Sequence, residues 1–352
     1  MNSDLIELTI TDLAFGGEGV GRHGGQVVFV PFTAVGDRVQ VRVIRRKKQF
    51  CHGEVVRVVE PSADRVAPPC PLYGRCGGCQ YQHLSYEAEI RAKEKQLRDL
   101  LGRIGKFQDV PIGPVLIAEP YGYRNRITVH NEEGIVGFRA TDGRTLVDVK
   151  ECLLASPEVN KKLAQLREKS RPRPHYSIRA DEVLGEAFYQ TNRLLNRTLL
   201  DTVSAAVGSS RALLEGYAGV GFFTAALANR VRMGIAIESD PKACAEARRT
   251  LPGHIEVVEA SVEEALAAAY DRLQGEDLVV LLDPTREGLS EVVRRDLLRM
   301  KAARMVYVSC HPATLSRDLK ELAETWKIQS VQPIDLFPRT AHLETVTTLV
   351  PV

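Results

Sequence analysis

Between residue 5 and about residue 60 the chain alternates apolar and polar positions, in "IELTITDL", "GQVVFVPF", "DRVQVRVIRRKKQF" and "GEVVRVVE". A period of two sends every second side chain to one face, as in strands with one face in a core. "FGGEG", "RHGG" and "AVGD" supply the turns between them. Four or five short strands joined by such turns predict a small OB-like barrel. "EPSADRVAPPCP" is proline-rich and reads as a linker. In "SYEAEIRAKEKQLRDLLGRI" the period lengthens to that of a helix, and β-like runs follow in "YRNRITVHN", "GIVGFRA" and "TLVDVKEC". From about residue 176, short and nearly continuous apolar runs alternate with amphipathic stretches: "ALLEGYAG", "RMGIAIES", "IEVVEA", "LVVLLDP" and "RMVYVSC". Strands that are apolar on both faces, with helices between them, predict a mainly parallel α/β sheet of Rossmann-like type. The expected parts are an all-β barrel over 1–62, a small α+β region over 63–175 and the α/β domain over 176–352.

The composition places this pattern in a soluble globular protein of more than one domain: 352 residues, 44% hydrophobic and 26% charged. A net charge of +2 leaves nucleic-acid binding to local patches. One patch is the predicted hairpin with Arg42, Arg45, Arg46, Lys47, Lys48 and Phe50, which reads equally as an RNA contact or a solvated turn. Another is "REKSRPRPHYSIR". The N-terminus has no basic stretch leading into an apolar run, and no apolar stretch approaches the ~18 residues of a membrane span. A cytoplasmic protein without membrane contact is expected, as a monomer.

Chemistry-bearing residues cluster at the ends of the predicted strands. "LLEGYAGVGFFT" runs a strand into Gly219-Val220-Gly221 and then a helix, and the next strand, "GIAIES", ends at Glu238. A glycine turn followed by an acid on the second strand suits a ribose-bearing ligand. The full G-x-G-x-x-G is absent, which favours a nucleoside such as S-adenosylmethionine over a dinucleotide. Asp283, in "LLDPTREG", also reaches the carboxyl edge. In "YVSCHPATLSRDL", Cys310 ends a strand just before a helix expected from about Ala313, whose dipole would lower a thiol's pKa. Taken alone, a lone cysteine reads more readily as a small core hydrophobe.

Cys70, Cys76 and Cys79 are spaced C-x5-C-x2-C among glycines, and Cys152 is available as a fourth thiolate. Four cysteines suit zinc or an iron–sulfur cluster.

Together these stretches resemble a known family, the S-adenosylmethionine-dependent RNA uracil-C5 methyltransferases. More narrowly they resemble the bacterial 23S ribosomal RNA branch, which has a TRAM barrel and a 4Fe-4S cluster. "FGGEGVGR…VVFVPFTAVGD" is similar to the TRAM pattern and "CPLYGRCGGCQYQHL" to the cluster motif. "GYRNRI", "FYQTN", "SCHPATLSRD" and "DLFPRTAHLETV" look like the family's remaining motifs. The resemblance implies a methyltransferase domain behind a TRAM barrel and a central iron–sulfur domain, acting on RNA. Ribosomal RNA is the expected substrate and a transfer RNA uridine the alternative. It also implies roles: Cys310 as nucleophile on uracil C6, Glu344 as base, and Asp283 near both ligands. Gln190, Tyr217, Gly219 and Glu238 would bind the cofactor, Phe188 would stack on the base, and Cys70, Cys76, Cys79 and Cys152 would hold the cluster.

Several positions depart from the family pattern. Thr285 replaces a proline, His311 an asparagine, Ala218 a cysteine, Phe222 an asparagine and Glu215 an aspartate, while Ser261 stands where an asparagine or aspartate is usual. No residue implied in catalysis is lost. A radical S-adenosylmethionine enzyme would need C-x3-C-x2-C, which the chain lacks. A non-catalytic RNA-binding protein would not need Cys310 and Glu344.

Overall fold

The early alternation closes into a barrel. In the computed structural model, which describes residues 5–168, 174–180, 191–273 and 277–352, five strands form it. They are β1 (Leu5–Leu13), β2 (Gly19–His23), β3 (Gln26–Val30), β4 (Arg38–Arg46) and β5 (Phe50–Glu60), in the order β1-β2-β3-β5-β4. The inward set of the alternation, including Leu8, Ile10, Val28, Val39 and Val41, fills its core with Cys51. Asp37, fully buried, holds the exit of the barrel. Its carboxylate accepts hydrogen bonds from Ala34 N (2.7 Å), Ser62 N (2.8 Å) and Arg65 Nε (3.1 Å). The segment expected to be a linker is therefore tied back onto the barrel, and Val66 N also donates to His83 O (2.9 Å). Its prolines restrict the chain, but the backbone N–H of Ser62 and the side chain of Arg65 anchor it.

The chain divides into two compact units. One uses the chain as far as Gln96, the stretch from Glu119 to Ala180, and the excursion Phe337–His342. Besides the barrel it contains most of α1 (Tyr86–Arg103) and a sheet ordered β8-β7-β6-β9. These strands are β6 (Arg126–Glu132), β7 (Ile135–Arg139), β8 (Leu146–Asp148) and β9 (His175–Arg179). α2 (Pro157–Glu168) buries Val159 and Leu163 against Ile127, Val129 and Ile178 of this sheet.

The other unit is a seven-stranded sheet in the order β12-β11-β10-β13-β14-β16-β15. After α3 (Asn196–Val207) come β10 (Ala212–Gly216), α4 (Phe222–Leu227), β11 (Met233–Glu238), α5 (Pro241–Thr250) and β12 (Ile255–Glu259). α6 (Val262–Leu273), β13 (Leu278–Leu282), α7 (Glu291–Leu297), β14 (Arg304–Ser309) and α8 (Pro312–Leu322) follow. β15 (Trp326–Ile334) and β16 (Glu344–Pro351) close the sheet. β10 to β14 are parallel, and β16 is antiparallel to both β14 and β15. Every residue of β10 and β13 is buried, as their nearly continuous apolar runs require, with Glu215 the one acid among them. The strand order reverses between β10 and β13, and ligands of open α/β sheets bind beyond the carboxyl ends at such a reversal. Among the described residues no helix is long and apolar enough to cross a membrane.

Asp37 makes the barrel pH-sensitive. Burial alone would raise its carboxyl, but the hydrogen bond from Arg65 and those from Ala34 and Ser62 hold it below the ordinary 3.8. A depressed carboxyl adds stability above its unfolded value and loses it as pH falls through the folded value. Asp37→Asn is expected to cost about 3 kcal/mol at pH 7, as when one partner of a buried pair is removed. Thermal melts at pH 7 and below the ordinary value of 3.8 should show the gap to wild type narrowing in acid.

Candidate active site

The carboxyl end of β10 runs into a strained turn. Tyr217 has a φ of 63°, costly for a residue with a bulky side chain. Gly219 follows with a φ of 57°, and a Cβ there would meet nothing within 4 Å. Open space thus lies over the turn where a ligand's backbone-hugging part would sit. Glu238, last in β11, accepts from Gly219 N (2.8 Å), Ser239 N (2.7 Å) and Asp240 N (2.7 Å). Its carboxylate is held beside the turn by three backbone donors.

Three strands deliver the reactive groups. Asp283 follows β13 directly, Cys310 follows β14, and Glu344 opens β16. In the antiparallel ladder Ser309 lies opposite Thr345, so the next step outward brings Cys310 beside Glu344. The thiol is pushed up to about 12, by burial first and then by the charges of Glu344 and Asp283, with Arg286 opposing. Burial likewise raises Asp283 to about 7. Burial and then the Asp283 carboxylate raise Glu344 well above the usual range. Glu344 Oε1 is buried without a hydrogen-bond partner among the described residues. Orphaned buried carboxylate oxygens are costly and belong to strained or working sites.

This corrects one expectation. α8 does begin at Pro312, but the thiol is not lowered. A helix dipole contributes little beside burial and two carboxylates. His311 caps α8: its Nδ1 accepts from Thr314 N (3.3 Å), so the ring is neutral there. Burial, then Arg286 and Arg317, lower its pKa. His311 is thus built as a helix cap.

Two residues support the site in ways that the sequence reading did not assign. Asp318, fully buried, accepts from Leu289 N (2.8 Å) and Tyr307 OH (2.8 Å) and pairs with Arg294 (3.3 Å). It anchors the loop that leaves Asp283, and a Cβ on Gly288 (φ 75°) would come within 2.5 Å of its Oδ2. Glu215, buried in β10, receives a hydrogen bond from Thr224 and is pushed up to about 8, chiefly by burial. The family-motif "SRD" marks Asp318, but its role emerges only from the packing.

In the other unit, Cys70, Cys76, Cys79 and Cys152 line one cavity of about 250 Å³ with Leu72 and Phe138. Cys152 is positioned by Asn160, which accepts from its N–H (3.0 Å) and donates to its carbonyl (3.0 Å). A Cβ on Gly77 would come 2.9 Å from Ala140 O, so the loop hugs the sheet edge. Burial pushes the Cys79 thiol up to about 12 and raises Cys76 and Cys152. Among the described residues no three cysteine, histidine or acidic side chains converge as for a single metal ion. Phe188 and Gln190 lie outside the described residues.

Comparison with known proteins agrees with this architecture. The family model for tRNA (Uracil-5-)-methyltransferase matches residues 173–351, and that for the TRAM domain matches residues 2–56. An uncharacterized RNA methyltransferase of Bdellovibrio bacteriovorus is 32% identical, covering 98% of this chain and 94% of its own. Another, from Thermosynechococcus vestitus, is 31% identical, covering 98% and 97%. Among solved structures, the tRNA (uracil-54, C5)-methyltransferase of Pyrococcus abyssi in complex with S-adenosyl-L-homocysteine superposes with a TM-score of 0.73 at 25% identity, covering 98% of this chain and 100% of that one. The barrel, the Rossmann-like sheet and these matches lead to one conclusion: the chain belongs to the RNA uracil-C5 methyltransferase family and is an S-adenosylmethionine-dependent RNA methyltransferase with an N-terminal TRAM domain.

Proposed function

We propose that this enzyme methylates C5 of a uridine in 23S ribosomal RNA through a covalent adduct with Cys310. The observation that carries this reading is the buried, unpartnered Glu344 Oε1 one ladder step from Cys310. Uracil C5 is a weak nucleophile. The Cys310 thiolate adds to C6, and the electron pair of the C5–C6 bond moves onto the C4 carbonyl as an enolate. S-adenosylmethionine, when bound, supplies an electrophilic methyl group on a positively charged sulfur, and that charge favours ionisation of the thiol and the acids. C5 would take the methyl group, the electron pair of the broken carbon–sulfur bond staying on sulfur as a neutral thioether. Glu344 then removes the C5 proton, and the electrons of that C–H bond restore the C5–C6 double bond and expel the thiolate. Asp283 keeps the site anionic at the sheet edge. Tyr217, Gly219, Glu238, Asp283 and Gln190 are read as the cofactor contacts, and Phe188 as the stacking partner of the target base, which must leave its own stack. The open space over Gly219 beside the Glu238 carboxylate fits that assignment.

We read 1–62 as an RNA-binding barrel, 63–175 as a cluster domain and 176–352 as the methyltransferase. Cys70, Cys76, Cys79 and Cys152 would hold a 4Fe-4S cluster. Four thiols lining one cavity of about 250 Å³, spaced C-x5-C-x2-C with a distant fourth, support that reading. A transfer RNA uridine is the second reading, favoured by the named activity of the Pyrococcus abyssi structure.

Three outcomes are expected. In a denaturing gel, 5-fluorouridine-substituted ribosomal transcript should shift the wild-type band in the presence of cofactor, because fluorine cannot leave C5 as a cation. Cys310→Ala should abolish the shift, whereas Glu344→Gln should accumulate adduct on ordinary uridine. A shift confined to transfer RNA would replace the substrate, and a shift retained in Cys310→Ala would remove the nucleophile. Second, single-turnover rates should fall as the pH drops below about 7, where Asp283 takes up a proton. Asp283→Asn removes a charge that raises Glu344, so the acid limb of its residual rate should move to lower pH. Third, anaerobically purified protein should carry about four iron and four sulfide per chain and absorb in the visible. Cys152→Ala should lose both; zinc in their place would reject the cluster.

A further inference from the structure

The sheet of β6 to β9 has two unlike faces. Ile127, Val129 and Ile178 point into the core against α2. Alternation turns their neighbours the other way. Arg126, Thr128 and His130 of β6 stand opposite Arg179, Ser177 and His175 of β9. Thr128, His175, Ser177 and Arg179 are exposed, and Arg126 and His130 are half-buried.

Arg126 faces Arg179 directly across the ladder. Like charges in that position destabilise a strand pair. Arg126 Nε donates to Ser177 Oγ (2.9 Å), which fixes the guanidinium on the face without bringing a negative charge. Among the described residues neither arginine is in an ion pair. Acids of the same sheet are already engaged: Glu132 pairs with Arg139, and Asp148 with Arg167. Burial, and then Arg179, hold the Arg126 guanidinium below its ordinary value. Among the described residues the face therefore bears a repulsion that an anion between the two arginines would relieve.

We propose that this face binds the phosphodiester backbone of the RNA substrate, with Arg126 and Arg179 as paired phosphate contacts and the Thr128 and Ser177 hydroxyls as flanking donors. The assignment rests on the RNA methyltransferase reading and gives it a second cationic surface besides the barrel hairpin. No base-reading group is needed here, since phosphate contacts fix register and orientation rather than sequence.

The test measures RNA affinity of the full chain by fluorescence anisotropy across a salt series, alongside thermal melting. Each lost phosphate contact removes about 0.7–0.9 from the slope of log K against log salt, which is about fivefold in Kd near 0.15 M salt. Arg126→Gln and Arg179→Gln should each show this loss, with a melting temperature equal to or above wild type because the repulsion is gone. Arg126→Lys should keep most of the slope. Arg272→Gln, at an exposed arginine already paired with Glu256, should leave it unchanged. Wild-type Kd and slope in the Arg126→Gln/Arg179→Gln double variant would overturn the proposal. So would weakened binding accompanied by a large drop in melting temperature, which assigns the pair to folding. A wild-type protein that binds no RNA at any salt would instead fail the RNA reading itself, and this face with it.

Discussion

The candidate site of this chain depends on one strand pairing. β16 enters the sheet antiparallel between β14 and β15, and its register sets Ser309 opposite Thr345. Thr345 Oγ1 locks that step by donating to Ser309 O (3.1 Å). The ends of two strands that are far apart in sequence therefore meet, with Cys310 on one and Glu344 on the other. A slip of one residue would reverse every side chain of β16. Its residues from Glu344 to Leu349 are all buried, so each side chain must fit the neighbours that this register gives it.

The pairing also imposes the electrostatics. Glu344 and Glu215 are buried, and Asp283 is half-buried, in the same sheet as Cys310, and burial raises all three carboxyls. Buried carboxyls keep a proton unless a partner offsets the loss of hydration. The same burial suppresses the Cys310 thiolate. In the proposed mechanism this state would be unreactive, and a sulfonium cofactor, bringing a positive charge together with its methyl group, would link activation of the Cys310 thiol to cofactor binding. The strain at Tyr217 and the orphaned Glu344 oxygen fit a site whose groups find their partners in ligands.

Much of this was legible in the sequence because the signals were local. Alternation marked the barrel, nearly continuous apolar runs marked β10 to β14, and the glycine turn and Glu238 marked the nucleotide edge. The cysteine spacing marked one cavity, to which Cys152 comes from a distant loop. What escaped depends on packing. The excursion Phe337–His342 belongs to the barrel's unit although both flanking strands lie in the other sheet. There Arg339 is flanked by the rings of Tyr86 and Tyr121 at 5.1 Å each and pairs with buried Glu89 (3.3 Å), partners drawn from two distant segments. No periodicity announces such a residue. The Cys310 thiol was misjudged for a similar reason: a helix start is visible in sequence, while burial beside two acids is a three-dimensional fact.

A net charge of +2 conceals a division of labour between wet and dry charges. The cations that would meet RNA, Arg45 to Lys48 on the barrel and the Arg126–Arg179 pair, lie on exposed or half-buried faces. Salt of physiological strength screens such charges beyond about 8 Å, so they act on phosphates at contact range and give binding its ionic-strength dependence. Around Cys310, Glu344 is buried and Asp283 half-buried, so their influence on the thiol is screened less than that of surface charges. In the proposed mechanism binding and chemistry would therefore answer to different variables. The surface would respond to the density of phosphate and salt, and the sheet edge to the arrival of a single positive charge. That separation would let an enzyme of nearly neutral composition hold a polyanion without disturbing the protonation of the groups beside Cys310.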